Sequence, residues 1–245
     1  MKFHGSIIVL IISILFVGCT NDVKQMEVKI EQDIENTIDE YGNKLLSDTE
    51  PKEIFEVLDI DQEYFDLMNG KSFHENDFIT INDLRLVKVT YWGFDEEIHH
   101  GELVANKIMA TDLIEIFKEL YMDKYPIEKI QLVSYYDGDD NLSMQANNTS
   151  AFNYRLISGT DKISNHSYGL AIDINPVQNP YVSNSVVAPR NAASYVDRTE
   201  YRTGMIIGDD ICVRLFKGHG WTWGGNYKSI KDYQHFEKTI KGIND

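Results

Sequence analysis

Residues 164–181 decide the fold, and they read SNHSYGLAIDINPVQNPY. Residues 170–174 alternate as a strand does, which places three apolar side chains on one face: Leu170, Ile172 and Ile174. Asp173 then projects from the opposite face, beside the small side chain of Ala171. A carboxylate that faces into a domain among apolar neighbours needs a cation or several hydrogen-bond donors. The stretch therefore predicts a polar site on a buried strand.

Two histidines complete a candidate metal site. His166 precedes Asp173 by seven residues, and Gly169 lets the chain turn so that imidazole and carboxylate meet. His235 lies in a second segment, residues 218–237, which reads GHGWTWGGNYKSIKDYQHFE. Two imidazoles and a carboxylate suit one zinc ion and leave a fourth position open, which is typical of catalytic rather than structural zinc.

An acidic side chain close to the third ligand is placed to act as a general base. Asp232 lies three residues before His235, where a carboxylate can take the proton from a metal-activated water. Glu237, two residues after His235, is its nearest competitor. We favour Asp232 for the catalytic role; the alternative is an exposed carboxylate on a helix or a turn.

The two segments together resemble the D-alanyl-D-alanine carboxypeptidase family of zinc peptidases, whose relatives include bacteriophage endolysins and vancomycin-resistance dipeptidases. The chain is most like a branch with the patterns SxHSYGxAIDINPxxNPY and WGGxWxxxxDxxHFE, matched here by Ser164–Tyr181 and Trp223–Glu237. Asn226-Tyr227 stands where that branch commonly has Asp-Trp. The resemblance covers about residues 70–237. It implies an α+β fold like that of hedgehog signalling domains and DD-peptidases, with a small antiparallel sheet flanked by helices.

The resemblance also implies roles for individual residues. It gives the zinc ligands as His166, Asp173 and His235, the catalytic base as Asp232, and a substrate-steadying arginine near Arg155. Arg155 can instead pair with one of the many acidic side chains. Ser164 either binds substrate or caps the turn before His166. Tyr168 and Trp223 either line a substrate groove or belong to the core.

The expected substrates are peptidoglycan stem peptides, and the leading activity is that of a D-alanyl-D-alanine carboxypeptidase. An L-alanyl-D-glutamate endopeptidase of the same family is the alternative within the enzyme class. A non-catalytic cell-wall-binding lipoprotein is the alternative from another class, although a binder has no need of Asp232. The net charge of −16 argues against nucleic acid as a partner, because phosphate binding needs clustered lysine and arginine.

The N-terminal sequence predicts that a lipid anchors the protein to the outer face of the cell membrane. Residues 1–18 read as a lipoprotein signal peptide, with an apolar run over residues 7–17 that is short for a membrane span. Phe16-Val17-Gly18-Cys19 resembles a lipobox, so Cys19 is the expected lipidation site; an ordinary secretory signal or an uncleaved anchor is the alternative. Residues 19–60 then form a helical or flexible stalk, and residues 61–245 form the peptidase domain. Cys212, in an apolar neighbourhood, reads as a buried residue rather than a nucleophile.

Four further elements follow from the periodicity between the stalk and the site. Residues 84–92 and 130–136 read as strands, residues 104–121 as an amphipathic helix, and residues 137–140 as a turn. Helices and strands in this mixed order favour an α+β domain over a repeating βαβ array.

Overall fold

The computed structural model describes Lys29, Gln32, residues 52–184 and residues 186–244. The predicted signal peptide, Cys19 and nearly all of the stalk up to residue 51 lie outside the described residues. One compact unit begins at Lys52. Residues 52–60, which the sequence analysis assigned to the stalk, contribute a paired strand to this unit.

The described residues form an α+β domain, which confirms the predicted fold class; the likeness to hedgehog and DD-peptidase domains stays a prediction. Its α-helices are α1 (Gln62–Met68), α2 (Ala110–Met122), α3 (Asp140–Gln145) and α4 (Ile211–Gly218). Short 3-10 helices span Ile81–Asp83, Val133–Tyr136, Asn165–Tyr168, Arg190–Tyr195 and Gly224–Asn226. None of the described helices is long and apolar enough to cross a membrane.

The strands form three antiparallel sheets of three strands each within the described ranges. The first contains β1 (Phe55–Leu58), β2 (Leu84–Trp92) and β3 (Ile98–Asn106), in that order. The second has the order β4 (Ala171–Asp173), β9 (His235–Glu237) and β7 (Thr222–Trp223). The third has the order β6 (Val186–Ala188), β5 (Tyr181–Ser183) and β8 (Lys231–Asp232). The second sheet carries the candidate site.

The first sheet and helix α2 form the main core. Strand β2 has the bounds that its sequence pattern predicts, and it pairs along its whole length with β3. Helix α2 packs an apolar stripe against this sheet, consisting of Leu113, Ile116, Phe117 and Leu120. The predicted start of this helix at residue 104 is wrong, because Val104 belongs to β3 and pairs with Leu86 of β2. Cross-strand pairing overrides the helical spacing at the end of the strand.

Residues 130–136 do not form the predicted strand. Ile130 makes a single bridge to Thr149, and a 3-10 helix follows at Val133–Tyr136. Between them, the Asn148 side-chain amide accepts from the N–H of Gln131 at 2.8 Å and donates to its carbonyl at 2.9 Å. One side chain thus satisfies the backbone groups that a partner strand would otherwise bind. The turn after residue 136 is present, with Asp137 and Gly138 both at positive φ.

The turn that precedes β4 is docked against the end of β3. Gly169 has φ +67°, and its carbonyl accepts from the N–H of Asn106 at 2.9 Å. The Asn106 side chain donates to the carbonyl of Tyr168 at 3.0 Å. A Cβ on residue 169 would lie 2.4 Å from the Asn106 nitrogen. Only glycine therefore combines this backbone conformation with this close approach.

We expect Gly169→Ala to destabilise the fold by clearly more than Gly159→Ala. Both positions have positive φ, but a Cβ at Gly159 meets no atom within 4 Å, so its cost is the conformational one of about 1 kcal/mol. Gly169→Ala adds a backbone clash to that cost. Urea midpoints of the two variants measure the difference. Equal midpoints would show that the Asn106 backbone moves away from the added Cβ without a loss of stability.

Candidate metal centre

Three side chains from distant parts of the chain converge on one point. The antiparallel pairing of β4 with β9 places Asp173 opposite His235, and Asp173 Oδ1 lies 2.9 Å from His235 Nδ1. His166 Nε2 lies 3.2 Å from Asp173 Oδ2 and 3.2 Å from His235 Nδ1. One ligand atom from each residue lies within 4.8 Å of those from the other two. Their roles as metal ligands stay a prediction.

His166 is held by the short 3-10 helix Asn165–Tyr168. The Ser164 hydroxyl accepts from the N–H of His166 at 3.3 Å and so caps this turn. Gly169 ends it in the left-handed conformation, and the chain then enters β4. Ser164 is only 5% exposed. Of the two roles that the sequence left open for Ser164, the structure shows the capping contact.

The outer nitrogen of each histidine has an acceptor. His166 Nδ1 lies 2.6 Å from the carbonyl oxygen of Ala151, and His235 Nε2 lies 3.2 Å from Glu237 Oε2. A neutral imidazole carries one N–H, and these acceptors favour its location on the outer nitrogen. A metal ion bound here would then find lone pairs on the inward nitrogens. This is the arrangement by which neighbouring groups orient histidine ligands of metal ions.

The spacing of the inward atoms fits a tetrahedral ion. Zinc binds histidine nitrogen and carboxylate oxygen at about 2.0 to 2.2 Å, which places neighbouring ligands of a tetrahedron roughly 3.3 Å apart. The three separations here are 2.9, 3.2 and 3.2 Å. The donor set and its spacing therefore fit the zinc ion that the family resemblance implies.

The electrostatics of the cluster favour a charged carboxylate at its centre. Burial alone raises the pKa of Asp173, but the adjacent His166 and His235 hold that pKa far below its usual range. Burial lowers the pKa of His235, but the hydrogen bonds to Asp173 and Glu237 and the nearby negative charges together outweigh burial, so that this pKa is raised well above its usual value. The positions of Asp173 and the two imidazoles are thus coupled through charge as well as through hydrogen bonds.

Asp232 and Glu237, the two candidates for the general base, have different surroundings. Glu237 accepts from His235, from the Asn165 amide and from the Tyr227 hydroxyl. Burial raises its pKa, but these donors, above all His235, lower it to about 2. The Oδ1 atom of Asp232 is buried and accepts no hydrogen bond from the described residues. Burial raises the pKa of Asp232 to about 6. Asp232, not Glu237, has an oxygen free to take a proton.

Arg155 is tied to the turn that carries His166. The backbone N–H of Arg155 donates to the Ser167 hydroxyl at 2.8 Å, and that hydroxyl donates to the Arg155 carbonyl at 2.7 Å. The guanidinium forms an ion pair with Asp140 at 3.0 Å. Its Nε is buried without a hydrogen-bond partner among the described residues. Arg155 therefore has an acidic partner, which is one of the two roles that the sequence left open, while its Nε–H has no acceptor among the described residues.

Trp223 lies in the core, which is one of the two positions that the sequence left open for it; its role in substrate binding stays a prediction. It is 5% exposed, and its Nε1 donates to the Tyr233 carbonyl at 2.8 Å. Its ring packs closely over Gly225, where a Cβ would lie 2.3 Å from the ring. Gly225 thus makes room for a buried indole. Cys212 is also fully buried, which raises its pKa well above the usual value and leaves it unsuited to be a nucleophile.

Tyr168 is half-buried, and its ring centroid lies 4.9 Å from that of Phe78. Phe78 is a large apolar side chain that is 39% exposed. The role of Tyr168 in substrate binding stays a prediction. Cys19, the predicted lipidation site, lies outside the described residues.

Sequence reasoning missed two residues of the site, Asn165 and Tyr227, both of which donate to Glu237. Asn165 lies within the first motif but at one of its unspecified positions. Tyr227 stands at the departure from the related branch and was placed outside the ligand set. Only the folded arrangement of β9 shows that both side chains reach the same carboxylate.

A comparison with known families gave a match to part of the chain. Residues 158–238, which contain His166, Asp173, Asp232 and His235, match a family of peptidases. The family is described as D-alanyl-D-alanine carboxypeptidase, and the match confirms the resemblance predicted from the motifs. Comparison with curated proteins gave no match, and comparison with solved structures gave none.

We expect His166→Ala to lose bound zinc and Asp232→Asn to keep it. The first change removes one of three converging donor atoms, whereas Asp232 is not among them. His219→Ala is the matched control, because His219 pairs with Asp112 instead of joining this cluster. Metal content per chain after dialysis against zinc distinguishes the variants. A fully loaded His166→Ala variant would refute the ligand set, and a zinc-free Asp232→Asn variant would make Asp232 a ligand.

Proposed function

We propose that this protein is a zinc-dependent peptidase that hydrolyses peptidoglycan stem peptides, most directly as a D-alanyl-D-alanine carboxypeptidase. One observation carries the proposal: three donor atoms converge as a zinc ion requires, and the buried Asp232, which has an oxygen without a hydrogen-bond partner among the described residues, interacts electrostatically with His235 and Asp173, all within the segment that matches the peptidase family. The stem-peptide substrate rests on the description of that family and on the predicted position outside the cell membrane.

His166, Asp173 and His235 would hold the ion in this proposal. When bound, zinc supplies Lewis-acid chemistry for the hydrolysis of a peptide bond, activating water and polarising the carbonyl. The chain orients the two imidazoles, through the Ala151 carbonyl at His166 and the Glu237 carboxylate at His235. Such outer contacts set both the position and the basicity of the imidazoles.

Asp232 is assigned the proton transfer. Its Oδ1 has no hydrogen bond to give up, so it is available to take a proton from the attacking water and return it to the leaving amine. Its position depends on Gly224, since a Cβ there would lie 2.5 Å from the Asp232 carbonyl oxygen. A positioned acid or base of this kind contributes roughly 10²- to 10⁴-fold to the rate.

We assign to Arg155 the binding of the substrate carbonyl oxygen or of the terminal carboxylate. A guanidinium with an unused N–H can donate to either group, and its planar fork suits a carboxylate. The ion pair with Asp140 would keep the guanidinium in place while that donor is used. One donor that stabilises a developing oxyanion is commonly worth about 3 kcal/mol.

Mass analysis of the products from a purified stem pentapeptide tests the activity. We expect loss of one terminal alanine with the zinc-loaded wild-type protein, and no product after treatment with a chelator. Asp232→Asn should keep its zinc and lose about 10²- to 10⁴-fold in turnover. Asp209→Asn, a change at an exposed position, serves as the control and should act as the wild type does.

The other outcomes of this experiment separate the alternatives. Internal cleavage between L-alanine and D-glutamate would show that the activity is that of the endopeptidase and not that of the carboxypeptidase. Binding of wall peptide by zinc-loaded protein without any product would favour the non-catalytic binder. Equal turnover of Asp232→Asn and wild type would remove the general-base assignment.

We also propose that the protein is attached to the outer face of the cell membrane through a lipidated Cys19. The support is the sequence before Cys19, which has an apolar run and a lipobox-like end. Cells fed a labelled fatty acid should label the wild-type chain but not Cys19→Ser. Cys212→Ala changes the other cysteine of the chain and should keep the label. Labelling of the Cys19→Ser chain would exclude Cys19 as the lipidation site.

A further inference from the structure

His235 faces the site through Nδ1, whereas His166 does so through Nε2. For His235 to offer a lone pair there, its proton must be on Nε2. The group hydrogen-bonded to the outer nitrogen decides this choice in most histidine ligands. The surroundings of Nε2 therefore control whether His235 can bind a metal ion.

The acceptor at Nε2 is Glu237, which lies two residues later on β9 and so projects from the same face of the strand as His235. Its Oε2 lies 3.2 Å from His235 Nε2. The carboxylate is itself fixed by two donors. The Tyr227 hydroxyl donates to Oε1, and the Asn165 amide donates to Oε2, each at 2.5 Å. Glu237 cannot turn away from His235 without losing both bonds.

The contacts continue from Asn165 to the C-terminal segment. The Asn244 side-chain amide donates to Asn165 Oδ1 at 2.9 Å and to the Lys238 carbonyl at 3.2 Å. Its own Oδ1 accepts from the N–H of Ile240 at 2.7 Å. Asn244 lies beyond residue 238, where the match to the peptidase family ends. A residue outside the matched segment is thus connected to the site.

Asn165 also links the two histidines. It immediately precedes His166 in the same 3-10 helix, while its side chain holds the carboxylate that contacts His235. A shift of the turn that carries His166 would therefore move the acceptor of His235 as well. The two imidazoles come from chain segments 69 residues apart, and Glu237 and Asn165 join those segments outside the ring of donor atoms.

We propose that Tyr227, Glu237, Asn165 and Asn244 act as positioning residues that set the tautomer and orientation of His235, and through them the affinity of the site for a divalent metal ion. This rests on the proposed function, which takes His235 as a ligand. At position 227 this chain has tyrosine where the related branch commonly has tryptophan. The tyrosine hydroxyl is the donor that fixes the outer oxygen of Glu237.

The test measures zinc affinity of the full chain by competition with a chromophoric chelator. We expect Glu237→Gln to weaken zinc binding by about 10- to 100-fold, as is usual for groups that orient a ligand. Tyr227→Phe and Asn244→Ala leave the carboxylate in place but loosen it, so each should weaken binding several-fold. Tyr135→Phe is the matched control, since Tyr135 is 56% exposed, and its affinity should be that of the wild type.

Two further readouts separate positioning from mere stability. Melting temperatures of the metal-free variants show whether they are folded, and Tyr227→Phe and Asn244→Ala decide the matter should Glu237→Gln fail to fold. The ¹⁵N shifts of the His235 ring report which nitrogen carries the proton. We expect a protonated Nε2 in the metal-free wild type, whether or not Nδ1 also carries a proton, and a partly unprotonated Nε2 in Glu237→Gln.

The outcomes distinguish the two proposals. Wild-type affinity in all three variants, or an unprotonated Nε2 in the wild type, would overturn the positioning role while leaving the peptidase proposal intact. Zinc binding by the wild type without hydrolysis would overturn the proposed function, and the affinities would still decide the role of Glu237. A wild-type protein that binds no zinc would overturn both.

Discussion

The Asp173 carboxylate is 5% exposed and lies between two imidazoles, and burying such a charge is costly unless it is paired. The rest of the site is arranged to meet that requirement. His166 and His235 each contact a different oxygen of Asp173. Each imidazole in turn has an outer acceptor, the Ala151 carbonyl or the Glu237 carboxylate. A cluster of this kind is stable only while every polar atom has a partner, whether protein or metal.

The surrounding fold keeps the backbone of the cluster in place from several sides. Asp173 exchanges two backbone hydrogen bonds with Ser150 on one side of β4 and pairs with His235 of β9 on the other. The end of β3 holds the turn at Gly169, and the Phe236 ring, next to His235, stacks on Phe216 at 4.2 Å. Phe236 is fully buried, so β9 anchors one face in the core while its other face carries His235 and Glu237.

Much of this arrangement could be predicted from the chain alone, for reasons that are local. The alternation of residues 170–174 and the position of Gly169 follow from strand geometry and from a turn at positive φ, both of which depend on neighbouring residues. Strand β2 has a long apolar pattern and was predicted with its observed bounds. The start of helix α2 was not, because Val104 fits a helical period as well as it fits the pairing with Leu86. The strand predicted at residues 130–136 failed because the Asn148 side chain, not a strand, binds the backbone there.

The sequence by itself determined the residue types of the candidate metal site and their assignment to two motifs, since spacing and chemical character are properties of the chain. Tertiary structure decided which atoms of those residues face one another, that Trp223 is in the core, and that Glu237 orients His235 and leaves the free oxygen to Asp232. It also decided that Tyr227, Asn165 and Asn244 belong to the site. These facts depend on contacts between residues up to 79 positions apart, and no local pattern specifies the register in which such segments meet.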